Sequence, residues 1–355
     1  MRCSFLLVLL VCTAAACSRY PTAPSAAFDA AAMDVTSPLA NESPLALRSV
    51  TGRTTNVLTG AAIGGVTVRI ADVGSAVADA TGGFTMESEA LDGRYRITAS
   101  GAAVIERQTS VAFPGDTARV SLIPATFSLA ALDQMVRSFG EVGVLKRWTQ
   151  APALIVETSM LNRDASFDAS GTPLDAVVAS AEPMTEAAIN ELVGQLTRAL
   201  PLMSGGQLTA FSGISRQTTA AGETVPFDTG SNAVVVARYP GTGVCRGFAS
   251  IAYTEEYAVV AARVLVQTCT GTLAAPVVAH ELGHALGYGH VTSAASVMTA
   301  TVTGDVTEFD RQAATIAYLR PPGNRTPDVD PEAFTVNQPA PARRGAGRII
   351  AGPIE

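Results

Sequence analysis

All three histidines of this 355-residue chain lie in one short run, His280-Glu281-Leu282-Gly283-His284-Ala285-Leu286-Gly287-Tyr288-Gly289-His290. A helix repeats every 3.6 residues, so His280 and His284 stand one turn apart on one face. Two imidazoles so placed can grip a single metal ion. Glu281 follows directly and leans toward the same ion, where its carboxylate can serve as general base to a water molecule. Gly287 lets the backbone leave the helix with positive φ, and the turn brings His290 back as third ligand. Three nitrogen ligands leave the fourth tetrahedral position open, the pattern of a catalytic rather than a structural Zn²⁺. One such ion is the cofactor expected.

Met298 stands eight residues past His290, within Ser296-Val297-Met298-Thr299-Ala300. Together the two motifs resemble the long zinc signature and the methionine turn of the metzincin metallopeptidases, nearest to the matrixin-like enzymes. H-E-x-x-H alone also occurs in unrelated helices. The added glycine, third histidine and methionine separate this run from histidines that merely fill a core. The resemblance implies peptide-bond hydrolysis, with Glu281 taking a proton from water and passing it to the leaving amine. It also implies an extended protein or peptide substrate along an edge strand, placed here at Phe248–Thr254, and a specificity pocket walled by Thr299–Thr307. Two positions depart from the pattern: Val291 replaces a polar residue after the third histidine, and Thr299 and Ala300 offer no tyrosine after the methionine. Tyr288 is read as packing in the turn.

These side chains need elements to hold them. The zinc helix starts near Leu273 with Pro276 in its first turn, a tolerated position, and Val277, Val278, Leu282, Ala285 and Leu286 give it a buried face. Thr185 and Glu186 open a helix whose Ile189, Leu192, Val193, Leu196 and Leu200 form an apolar stripe ending at Pro201. Thr307-Glu308-Phe309-Asp310 begins a closing helix. Strands are expected at Ala153–Thr158, Leu208–Ile214, Ala233–Ala237, Phe248–Thr254 and Ala258–Gln267, with Glu255 and Glu256 as solvated turn charges and residues 159–183 as a loop. For residues 148–322 the metzincin resemblance implies, and the order of these elements agrees with, an α+β zincin-like domain: a mixed twisted sheet, a backing helix and an active-site helix.

Residues 46–124 read differently. Val66–Ile70, Gly83–Met86, Arg94–Thr98 and Ala118–Leu122 alternate with period two, and Gly-rich turns separate them, so a small all-β sandwich is expected. Val50-Thr51-Gly52-Arg53, Gly65-Val66-Thr67-Val68, Gly83-Phe84 and Gly93-Arg94-Tyr95 resemble the carboxypeptidase regulatory-like, transthyretin-like modules, which implies an accessory domain without catalysis. Ser128 caps a connecting helix within 125–147, with Leu129, Leu132, Val136 and Phe139 on one face. Residues 323–355, rich in Pro, Gly and Arg, show no core pattern and read as a mobile tail or surface wrap.

At the other end, Arg2, the apolar run Phe5–Val11 and Ala14-Ala15-Ala16 read as a signal peptide over residues 1–16. Cys17 after these small residues resembles a bacterial lipobox and is a lipidation candidate, with 17–45 as a disordered Pro/Ser/Ala tether. The protein is therefore expected to be exported, to the cell envelope through a lipid anchor or as a secreted monomer. Cys245 and Cys269 are left as a disulfide candidate that closes a loop of about 25 residues, worth roughly 3 kcal/mol; two buried thiols are the alternative. Cys3 and Cys12 would leave with the signal, so no cysteine other than Cys17 stands before the mature enzyme to block the zinc as matrixin pro-segments do. A net charge of −7 argues against nucleic acid as partner, and no apolar run past the N-terminus is long enough to cross a bilayer. A competing reading is a surface-binding lipoprotein whose sandwich recognises a partner or polymer and whose zinc domain is a weakly active scaffold. A scaffold needs the three histidines but not Glu281.

Overall fold

Short alternating segments of the first part form seven strands, β1 (Arg48–Asn56), β2 (Thr67–Ile70), β3 (Gly74–Val77), β4 (Gly83–Ser88), β5 (Gly93–Gly101), β6 (Val104–Phe113) and β7 (Ala118–Leu122). The computed structural model describes residues 48–88, 93–113, 117–140, 142–161, 182–226, 231–239, 247–267, 274–302, 304–332 and 349–350. Cys17, Cys245, Cys269, the expected signal and the expected tether lie outside the described residues.

The strands make two sheets, ordered β4-β1-β7 and β3-β2-β5-β6. Neighbours are antiparallel except β1 and β7. Val50, Val68, Ile70, Phe84, Met86, Ile97, Val120 and Leu122 close on one apolar core between them, supplied by every second residue as the pleat requires. Strand β6 escapes a reading by alternation because one of its buried positions is Arg107. Its guanidinium bonds to Asp328 at 2.9 Å and Asp330 at 2.8 Å, far along the chain.

The rest of the described chain is built from α1 (Leu129–Arg137), β8 (Arg147–Trp148), β9 (Ala153–Met160), β10 (Glu182–Pro183), α2 (Glu186–Met203), β11 (Ile214–Gln217), β12 (Ala233–Tyr239), β13 (Gly247–Tyr253), β14 (Ala258–Gln267), α3 (Ala275–Ala285), α4 (Glu308–Tyr318) and β15 (Ile349–Ile350). One mixed sheet runs β10-β9-β12-β14-β13-β15, with β11 also on β9 and β8 also on β14. β9, β11, β12 and β14 are parallel, and β13 is antiparallel to β14. β12 is buried at every residue and β14 at nearly every one, the mark of parallel strands covered on both faces. Ser250 and Ile251 of β13 pair outward with Ile350 and Ile349.

The expected helices form with the expected caps: Ser128, Thr185 and Thr307 accept from the backbone of Ala131, Ala188 and Asp310. Three expectations shift. Helix α2 continues past Pro201 to Met203, because a proline in the last turn gives up only its own donor while its carbonyl accepts from Gly206 at 2.8 Å. The apolar residues of 208–213 pack as a loop: Leu208 and Phe211 are buried, Ser204 Oγ receives the Leu208 amide, and the strand begins only at Ile214. The presumed loop after residue 158 holds the end of β9 and, at Glu182–Pro183, strand β10.

Polar residues beyond α4 are fixed by charge rather than by apolar packing. Asp328, wholly buried, accepts from Arg107, Arg320 and Asn324. Arg320 also bonds Ser121 of β7, and Gln108 of β6 exchanges backbone bonds with Asp328 and Asp330. This ionic cluster ties the seven-stranded part to the end of α4. No helix among the described residues is long and apolar enough to cross a membrane.

Candidate metal centre

Helix α3 lacks a side-chain cap but starts with Pro276 in its first turn, where the missing donor costs nothing. It is buried all round rather than along one stripe. His280 and His284 share a face, their rings 4.6 Å apart and nearly perpendicular. The helix stops at Ala285, and Trp148 of β8 donates its indole N–H to the Ala285 carbonyl at 2.8 Å. Gly287 then adopts φ +102° with its α-carbon against the Lys146 carbonyl, so a side chain there is excluded by both strain and space. The turn returns His290 to within 4.8 Å of the His284 ring and 5.2 Å of the His280 ring. One nitrogen from each histidine lies within 4.8 Å of the other two.

Carbonyls set the ring orientations. His280 Nδ1–H donates to Val297 O and His284 Nδ1–H to Tyr288 O, each at 2.7 Å. In that tautomer both Nε2 atoms carry lone pairs able to bind a metal; His280 Nε2 has no partner, and His284 Nε2 lies 3.2 Å from His290 Nε2. Burial pushes His280 down to about 4, with a further lowering by His290. Burial also holds His284 well below the ordinary histidine value, helped by its two neighbours, and lowers His290. All three are neutral near pH 7, the form that binds metal.

Glu281 is fully buried, and neither carboxylate oxygen has a protein partner, nor has His280 Nε2. Burial raises the Glu281 carboxyl well above its usual range. Buried polar atoms without partners are costly; a divalent cation with its water ligand accounts for all three at once. The donor set therefore fits such an ion.

Met298, expected from the sequence, is joined around the site by residues that carry no signal near the histidines. Met298 is buried with its sulfur against Gly283, where no Cβ fits. Its turn is fixed by Asp310 of α4, whose carboxylate accepts from Ser296 Oγ, Val297 N at 2.9 Å and Thr307 N at 2.8 Å. Asp310 thus positions the carbonyl that orients His280; the Thr307-x-x-Asp310 capping pattern is the one trace of it in the sequence. Gly247 opens β13 directly against the Glu281 carboxylate. Phe139, just beyond α1, stacks on His284 at 5.1 Å and 22°. Tyr288 packs as expected, buried, with its hydroxyl donating to Met203 O at 2.8 Å.

Residues 212–320 match the family model of Matrixin. The matched stretch runs from just before β11 through α4 and holds His280, Glu281, His284, His290 and Met298 together. It covers less than a third of the chain and leaves the seven-stranded part, α1, β9 and α2 outside. The match supports a metzincin-like catalytic domain of the zinc metallopeptidase type. No curated protein matches the chain.

Proposed function

We propose that the protein is an exported zinc endopeptidase in which His280, His284 and His290 hold one Zn²⁺ and Glu281 is the general base. The observation that carries this reading is the pair of partnerless Glu281 oxygens, buried beside three neutral imidazoles. A structural metal site has no use for such a carboxylate. When bound, the zinc ion supplies Lewis acidity to the scissile carbonyl and to water. Glu281 removes a proton from the attacking water and delivers it to the leaving nitrogen, so no covalent intermediate forms. Because Gly247 abuts Glu281, an extended peptide lying along β13 passes the base. Such a strand would replace the present pairing of Ile349 and Ile350.

In this reading residues 1–16 direct export, Cys17 takes the lipid anchor, and the seven-stranded part is a carboxypeptidase regulatory-like accessory domain. Cys245 and Cys269, which lie outside the described residues, are read in the same proposal as a disulfide pair. The test is cleavage of unfolded casein by the purified zinc-loaded protein and by Glu281→Ala. Chelator-sensitive cleavage lost in the variant is expected. Full zinc occupancy with cleavage surviving in Glu281→Ala would overturn the assignment of the base.

A further inference from the structure

His280 and His284 each have a backbone carbonyl to fix the ring, but among the described residues no such bond fixes His290. It also lies beyond the helix, after a glycine turn, where the backbone is least constrained. Besides the bond from Val291 N to Met298 O at 2.8 Å, what holds it is helix α1. Gly289 N donates to Met135 O at 2.7 Å, and the Gly289 α-carbon sits so close to Gln134 O and Phe139 N that a Cβ would meet them at 3.0 and 3.2 Å. On the other side of His290, one atom gathers the loop. Gln134 Oε1 accepts from Thr292 N at 2.9 Å, Ser293 N at 3.2 Å, Ser293 Oγ at 3.0 Å and Thr292 Oγ1 at 3.4 Å.

We propose that Gln134 is a positioning residue for the third metal ligand, and that α1, which lies outside residues 212–320, is an integral wall of the metal centre. The inference rests on reading the three histidines as ligands. Gly289 on one side of His290 and Thr292 and Ser293 on the other are bonded to α1, while Val291 N donates to Met298 O, so the imidazole is delivered by a loop that α1 clamps at two points. Loss of the Gln134 oxygen releases two exposed loop amides to water and frees His290 to turn away. An outer partner of this kind typically changes metal affinity by ten- to a hundredfold.

The experiment is zinc titration of the chelator-treated full chain against a chromogenic chelator, with the visible spectrum of the cobalt form as second readout. Gln134→Ala is expected to weaken zinc binding at least about tenfold and to change the cobalt spectrum. Gln134→Glu keeps the acceptor oxygens and is expected to restore most of the affinity. In a His290→Ala background, Gln134→Ala should weaken binding no further, because its effect passes through His290. Unchanged affinity in Gln134→Ala, or an equal loss in the His290→Ala background, would overturn the proposal. A wild-type chain that binds no zinc would sink the metal site itself, whereas wild-type binding with an indifferent Gln134→Ala sinks the inference alone.

Discussion

Gly247→Ala puts one methyl group where the structure has no room for it. A Cβ at this position would overlap Cγ, Cδ and Oε1 of Glu281. Carbon atoms settle about 3.5–4.0 Å apart, so the carboxylate must withdraw by roughly 1 Å or more. It has no free direction, since Glu281 is fully buried in a helix buried on all sides. Overpacking of this kind costs about 1–3 kcal/mol of stability, and misplacing a catalytic group by about 1 Å costs on the order of 10²-fold in rate. The three atoms nearest the methyl all belong to Glu281 and none to a histidine, so zinc occupancy should stay at the wild-type level while kcat/KM for a casein-derived peptide falls about a hundredfold. The assay is peptide cleavage on protein whose zinc content is measured in the same sample. A double variant supplies the control: in a Glu281→Gln background, Gly247→Ala should lower the residual rate no further. Cleavage within a factor of about two of wild type at full zinc would refute the reasoning, because a base displaced this far should cost far more than that.

Other perturbations read other parts of the structure. Asp328→Ala leaves the buried Arg107 and Arg320 without their shared carboxylate and should cost about 3–5 kcal/mol in denaturant melts; an effect below about 1 kcal/mol would mean the cluster is not what fixes the segment after α4. Burial by itself would raise the Asp328 carboxyl, yet Arg320 and Arg107 outweigh it and hold it below its ordinary 3.8. Its contribution is therefore complete above pH 3.8 and fades only as pH falls through the lowered value. For metal-free protein, His280 is held at about 4 against 6.5 when unfolded. The unfolded chain binds the extra proton first, so stability should be full above pH 6.5 and decline from there toward pH 4; a flat profile in chelator would contradict the burial of this ring. Replacing Ile349 and Ile350 together by proline removes the backbone donor that this short antiparallel pairing turns toward β13, and should lower KM for an unfolded protein substrate with little change in kcat; an unchanged KM would place the substrate elsewhere than on β13.

The spacing of His280, His284 and His290 and the distance to Met298 made the metal cluster legible, because helix periodicity alone brings two of the rings together and Gly287 can only be a turn. The stripes of α2 and α4 and the apolar runs of β12 and β14 were legible for the same reason: local period mirrors burial. What escaped is whatever depends on contact between distant segments. Gly247 beside Glu281, Gln134 beside Thr292 and Phe139 beside His284 involve no local pattern. Strand β6 was hidden because Arg107 occupies a buried position, and the ordered stretch through Asp328 because its cohesion is ionic, which leaves a polar sequence looking like a tail. Leu208 and Phe211 misled in the opposite sense, as buried loop side chains resemble a strand.

The most direct test of the central claim is zinc X-ray absorption on the purified full chain, with metal content measured in parallel. The account predicts one zinc per chain with three imidazole nitrogens at about 2.0–2.1 Å, and two imidazole nitrogens rather than three in His290→Ala. Protein free of zinc after reconstitution, or a zinc bound through cysteine sulfur, would contradict it.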